Sequence, residues 1–205
     1  MRYLRSATAV SFLISTSLLS GCVPQDHGWA NAYMADQSPK IAVQMPPNAP
    51  SISQEYRYNT NVAGHEGIDV VGKIGSPVIA AAGGVVSQSY FEPMYGNRMV
   101  IDHGVDASGK RTRTVYKHLK DRQVSQGTSV SRGQQIATLG ATGTLAGGIP
   151  HLHFEIHRAT KSGSFGTPVD PHFLWAHGLG KVTCFSPEVV IDPGRFQTTY
   201  PVPCR

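Results

Sequence analysis

His151-Leu152-His153-Phe154-Glu155-Ile156-His157 alternates an imidazole or carboxylate with an apolar side chain without a break. A strand of that period puts His151, His153, Glu155 and His157 on one face and Leu152, Phe154 and Ile156 on the other. Two imidazoles two residues apart on one strand face can serve a single metal-centred site, one as ligand and the other acting on whatever binds beside it. Such a site needs partners from elsewhere in the chain. Gly64-His65-Glu66-Gly67-Ile68-Asp69 offers a further imidazole and a carboxylate in a glycine-loosened turn leading into an apolar run.

Around this strand the chain carries more short apolar stretches: Ile68 to Val71, Pro77 to Ala82, Val85-Val86, Asn97 to His103, Thr112 to Leu119 and Gln135 to Leu139. They are β-branched, closely spaced and bounded by Gly, Asn and Ser, and no stretch has helical periodicity of useful length. The expectation is an all-β fold, a mainly antiparallel sheet folded on itself. With 205 residues, 22 of them Gly and 14 Pro, the chain has room for one domain with tails. No repeat of fixed period is visible. In the tail beyond Pro171, Val189-Val190-Ile191 reads as one added strand.

The first residues are a targeting segment, set aside from fold reasoning. Arg2 and Arg5 begin it, Ala7 to Leu19 is apolar but short for a bilayer span, and Leu19-Ser20-Gly21-Cys22 follows. This resembles a bacterial lipoprotein signal, which implies removal of residues 1–21 and lipidation of Cys22. Several acyl chains on one residue would anchor the protein stably, whereas one chain binds reversibly. Val23 follows the cysteine; by resemblance to Gram-negative lipoproteins this favours the outer membrane, facing the periplasm, where the organism has one. Residues 22–50 are polar, aperiodic and Pro-containing, and read as a tether. Extended, it would reach on the order of 90–100 Å, and as a coil roughly 30 Å.

The formal net charge is +5, and two of those charges leave with Arg2 and Arg5. So small an excess, with no Lys/Arg run, argues against nucleic-acid binding. Once Cys22 is acylated, Cys184 and Cys204 remain, in a compartment that permits oxidation. A bridge between them would close a loop of about 21 residues and contribute roughly 3 kcal/mol. No CxxC spacing points to metal ligation by thiols.

Four segments in order, His65 with Asp69, Val115-Tyr116-Lys117-His118-Leu119, Gly133-Gln134-Gln135-Ile136-Ala137 and Pro150-His151-Leu152-His153-Phe154-Glu155-Ile156, resemble the LytM/lysostaphin-like zinc metallopeptidases of family M23. The resemblance runs from about Ser51 to Pro171 and places a peptidase domain at 51–175, leaving 176–205 as a C-terminal extension holding both cysteines. It implies that His65, Asp69 and His153 bind Zn2+ and that His118 and His151 are the catalytic histidines. Two nitrogens and one carboxylate oxygen leave a tetrahedral zinc one open position, as catalytic sites require. A neutral His118 or His151 could take a proton from water, and a protonated one could stabilise an oxyanion or feed a leaving amine. The sequence does not divide these roles.

Other polar residues receive plainer readings. His103 is structural, His157 sits at the rim of the strand's polar face, and Glu155 either orients a ligand through a hydrogen bond or supports packing. His27, His172 and His177 carry no signal. One departure from the family pattern is Thr144 to Ile149, longer than the usual link before the HLH strand, at the border of the site.

The resemblance implies a lipid-anchored zinc endopeptidase acting on stem or cross-link peptides of peptidoglycan, tied to the membrane through Cys22. A non-hydrolytic cell-wall or partner-binding module that activates a separate amidase is the alternative. A purely structural anchor would explain the signal and tether but not the five site residues. Nothing in the chain reads which peptidoglycan bond is cut.

Overall fold

The computed structural model describes residues 41–57, 64–159 and 164–205. Among the described residues ten strands form one sheet: β1 (Ile52–Gln54), β2 (Ile68–Val71), β3 (Pro77–Ile79), β4 (Gly84–Glu92), β5 (Gly96–Val105), β6 (Arg111–Arg122), β7 (Ser129–Val130), β8 (Gln135–Leu139), β9 (His151–Ala159) and β10 (Thr167–Val169). The main path is β1-β2-β9-β6-β5-β4-β7 and every strand pairing is antiparallel. β8 branches from β6 and carries β3, and β10 lies on the free edge of β9. Among the described residues the only helical pieces are short 3-10 turns at Thr144–Ala146 and Pro171–Phe173. The all-β antiparallel expectation therefore holds, and it follows from the period-2 patterning of these short segments.

Alternation decides which side of the sheet is core. Leu152, Phe154 and Ile156 of β9 join Ile68 and Val70 of β2, Met99 and Ile101 of β5, and Tyr116 of β6, all fully buried. Register keeps the pattern in step across the three central strands: Ile68 faces Phe154, Val70 faces Leu152, and Tyr116 faces Phe154 from the other side. The same register puts Asp69 and Lys117 opposite His153, on the other face. A one-residue slip would exchange the faces, so the buried apolar set fixes where the polar set lands.

Two boundaries differ from the sequence expectation. The tether does not run through residue 50: Ile41 is buried, Val43, Met45 and Ala49 pack on the core, and Gln44 pairs with Lys181. The alternation Ile41-Ala42-Val43-Gln44-Met45 carries the signal, in a run too short to outweigh the prolines after it. Residues 1–40, with the signal segment and Cys22, lie outside the described residues. The extension 176–205 is not an appendage either, since Val182, Tyr200 and Val202 share the core cluster with Phe154 and Trp175. Cys184 and Cys204 are joined by a disulfide across a Cα–Cα distance of 5.8 Å. Val189 to Ile191 is not a strand; Val190 is highly exposed and pairs with nothing in the sheet.

Candidate metal centre

On the polar face of β2 and β9, His65 Nε2, Asp69 Oδ1 and His153 Nδ1 converge. His65 Nε2 is 3.2 Å from Asp69 Oδ1 and 3.1 Å from His153 Nδ1, and His153 Nδ1 is 2.7 Å from Asp69 Oδ1. All three residues are buried, and their ligand atoms lie within 4.8 Å of one another. Asp69 and His153 are direct neighbours in the β2–β9 register. His65 enters from the turn before β2, clipped by its backbone to Arg57. That turn needs Gly67, because a Cβ there would stand 2.1 Å from the Phe154 carbonyl oxygen.

The partners of the outer ring nitrogens fix what the inner ones present. His65 Nδ1 lies 2.8 Å from the Glu55 carbonyl oxygen, which can only accept, so Nδ1 carries the hydrogen and Nε2 a lone pair. His153 Nε2 lies 2.8 Å from Glu155 Oε1, so Nδ1 is again the bare nitrogen. Two lone pairs and a carboxylate oxygen thus face one another in a buried space, an arrangement that is repulsive until a cation occupies its centre. The donor set, two imidazoles and one carboxylate, fits a zinc ion with an open fourth position.

The same preference for positive charge between these groups appears in their electrostatics. Burial lowers the His153 imidazole, but the hydrogen bonds and charges of Asp69 and Glu155 outweigh it and raise the group to about 9. Burial pushes the Asp69 carboxyl upward, yet His153 and His65 hold it far below the usual carboxylate range.

His118 and His151 stand beside this trio. Their ring centroids are 4.8 Å apart, and His151 Nε2 is 3.8 Å from Asp69 Oδ1. His118 Nδ1 is 2.9 Å from the Thr142 carbonyl and His151 Nδ1 is 2.8 Å from the Ile149 carbonyl, so each ring presents a bare Nε2 when neutral. His118 is aimed by a bulge: between Met99 and Asn97 on β5, β6 spends one residue more, from Tyr116 to Leu119. His118 takes φ 62° there, a left-handed conformation costing about 1–2 kcal/mol for a residue with a Cβ. Its backbone N–H donates to the Tyr95 carbonyl at 3.0 Å, which holds the strained residue. Burial pushes the His118 imidazole down to about 4, with His151 and His153 adding to the shift, so it is neutral at physiological pH.

The wall beside His118 and His151 is the long loop that departs from the family pattern. Thr144 N and Leu145 N donate to the carbonyls of Pro93 and Met94, fastening the loop to the β4–β5 hairpin. Gly143, at φ 85°, approaches Gly96 so closely that a Cβ would lie 2.2 Å from its nitrogen. Leu145 and Ile149 remain exposed on the rim.

The structure brings together His65, Asp69, His118, His151 and His153, corrects the reading of His157 and decides that of Glu155. His157 is not a rim residue: it is buried, with Nε2 2.8 Å from Glu155 Oε2. Glu155 takes the orienting role rather than packing support alone, accepting from His153 and His157 and pairing with buried Lys117. Burial opposes its ionisation, but those hydrogen bonds and the Lys117 charge hold its carboxyl well below the ordinary range. Lys117 carried no sequence signal, since a lysine in a strand ordinarily faces water; its ammonium also lies 3.9 Å from the Tyr95 ring centroid. His103 is structural as expected, bonded to the Gly83 carbonyl and Thr114 Oγ1.

Residues 63–171 match the model of peptidase family M23. The chain is 40% identical over 94 residues to peptidoglycan DD-endopeptidase ShyC of Vibrio cholerae, covering 46% of this chain and 20% of that protein. It is 36% identical over 106 residues to murein hydrolase activator NlpD of Escherichia coli, covering 51% of this chain and 26% of that protein. The chain thus spans about a quarter or less of the length of these relatives. Among solved structures, a zinc containing peptidase from Vibrio cholerae superimposes with a TM-score of 0.50 at 33% identity, covering 63% of this chain and 38% of that one.

Proposed function

The chain belongs to peptidase family M23, and from that premise we propose that it is a lipid-anchored zinc endopeptidase that hydrolyses stem or cross-link peptide bonds of peptidoglycan. The observation that carries this reading is the convergence of three metal-seeking atoms with two further bare imidazole nitrogens beside them. His65, Asp69 and His153 would hold the zinc, which when bound supplies Lewis acidity and lowers the pKa of water. His118, neutral because it is buried, is suited to take the proton from water at Nε2. His151 Nε2, on the other side of the same opening, is placed to hold the developing oxyanion or pass a proton to the leaving amine. Glu155 keeps the His153 tautomer from turning over by holding its Nε2 hydrogen.

Peptidoglycan as substrate is supported by the similarity to a peptidoglycan DD-endopeptidase. The lipobox-like Leu19 to Cys22 supports anchoring in the cell envelope, and Val23 after it favours the outer membrane where the organism has one. Similarity to a murein hydrolase activator keeps the non-hydrolytic reading as the alternative. Against that reading stand five site residues that are all present and mutually placed.

Mass spectrometry of defined cross-linked muropeptides, incubated with the protein with and without a chelator, tests the reaction. Chelator-sensitive cleavage of a peptide bond is expected. Intact muropeptides in the presence of zinc-loaded protein, together with stimulation of a separate amidase, would replace the enzyme by the activator. For the anchor, Cys22→Ala should move the protein from the membrane to the soluble fraction of cells.

A further inference from the structure

The His65 ring is held from behind by a chain of hydrogen bonds that begins in the C-terminal part of the molecule. Trp175 Nε1–H lies 2.9 Å from His172 Nδ1; an indole N–H can only donate, so His172 Nδ1 accepts and the hydrogen of this imidazole sits on Nε2. Nε2 is 2.7 Å from Glu55 Oε2, so His172 donates to the carboxylate. The Glu55 backbone carbonyl then accepts the Nδ1 hydrogen of His65. A carbonyl accepts whatever its side chain does, so the Glu55 backbone leaves His65 Nε2 bare toward Asp69 and His153, and the His172 bond anchors the residue that carries this carbonyl.

The far end is firmly set. Trp175 stacks edge-on to Tyr200 with ring centroids 6.0 Å apart, and both are fully buried. Tyr200 Oη donates to the Pro50 carbonyl, and Trp175 bridges Thr198. His172, with no exposed surface, starts from a 3-10 turn whose first N–H is capped by Asp170. Glu55 lies between the three-residue β1, whose pairing with β2 is irregular, and the Arg57–His65 backbone bridge, and its own side chain is tied by His172.

We propose that Glu55, His172 and Trp175 are positioning residues that hold the Glu55 carbonyl in place and through it the orientation of His65 for metal binding. All three lie outside residues 63–171, so the flanks of the chain complete a site whose ligands belong to the family segment. The proposal rests on the reading of His65 as a metal ligand.

Zinc affinity of the full-length protein, by competition with a chromophoric chelator, and solvent exchange of the His65 Nδ1 hydrogen in the zinc-loaded state, by NMR, test it together. Glu55→Ala and His172→Leu keep the carbonyl but free the residue that carries it, so they should weaken zinc binding by about 10-fold, the lower end of the range for disturbing a ligand's hydrogen-bond partner, and speed the exchange. Glu55→Gln and His172→Gln, which keep the acceptor and the donor, should stay near the parent. Tyr200→Phe loses the Pro50 bond and should lower thermal stability with zinc affinity unchanged, which separates positioning from packing. Should the buried His172→Leu not fold, Trp175→Phe decides, because it removes the first donor and keeps an aromatic ring. Parent-like affinity and exchange in Glu55→Ala and Trp175→Phe would overturn the chain while leaving the metal site standing. A parent protein that binds no zinc would overturn the metal reading itself.

Discussion

The two faces of β9 are both buried, yet they are held by opposite physics. On one side Leu152, Phe154 and Ile156 need only to leave water; each fully buried side chain contributes about 1.5–3 kcal/mol, and any neighbour of suitable shape serves. On the other, His151, His153, Glu155 and His157 are almost as inaccessible, and every one must find a specific partner or cost stability. Those partners are the Ile149 carbonyl, Asp69, Lys117 and one another. The apolar face makes the fold and the polar face uses it. A buried polar row on a strand is tolerated where its residues satisfy each other.

That contrast predicts different losses from the two faces. His65→Ala, Asp69→Ala or His153→Ala should each abolish peptide cleavage and lower zinc occupancy by elemental analysis, with the fold kept. Full zinc retention in all three would sink the ligand assignment. His118→Ala should keep zinc and lose activity by about 10²–10⁴-fold, since it removes proton transfer rather than a metal bond; parent turnover would withdraw its role. The acidic limb of the parent's rate against pH should also lie well below the ordinary histidine range. Burial holds His118 neutral down to about 4, so the base stays available until the pH falls through that value.

The apolar face should respond in stability rather than chemistry. Phe154→Ala should cost about 3–5 kcal/mol in denaturant unfolding, through lost burial and the cavity left between Tyr116 and Ile68. An unchanged midpoint would mean that the sheet re-packs around the gap. The smallest effect should come from the flank. Cys184→Ser should lower stability by about 3 kcal/mol, as expected for a loop of this length, and leave zinc content intact. Zinc loss at retained fold would show that the bridged tail does more than stabilise.

Much of this molecule could be read locally. The seven-residue alternation at His151 gave the strand and both its faces, because a period of two is a property of the backbone that side-chain order records directly. The five residues that converge were legible through resemblance, and the His151/His153 pair through spacing alone. Illegible were the partners supplied from far along the chain. Lys117 looks like any strand lysine until the β6–β9 register sets it opposite His153. Likewise, His157 looks like a rim residue until β10 and Phe165 close over it.

The sequence by itself therefore determined the all-β architecture, the alternating faces and the family of the central segment, since each depends on near neighbours in the chain or on ordered motifs. Only the tertiary structure decided that residues 41–50 and the C-terminal flank belong to the same core, and that His118 is aimed by a left-handed bulge. It also decided that Glu55 and His172, separated by 117 positions, meet behind His65. Burial and hydrogen-bond satisfaction are collective. Whether a polar residue is a solvated surface group or part of a buried network depends on what the rest of the chain places against it.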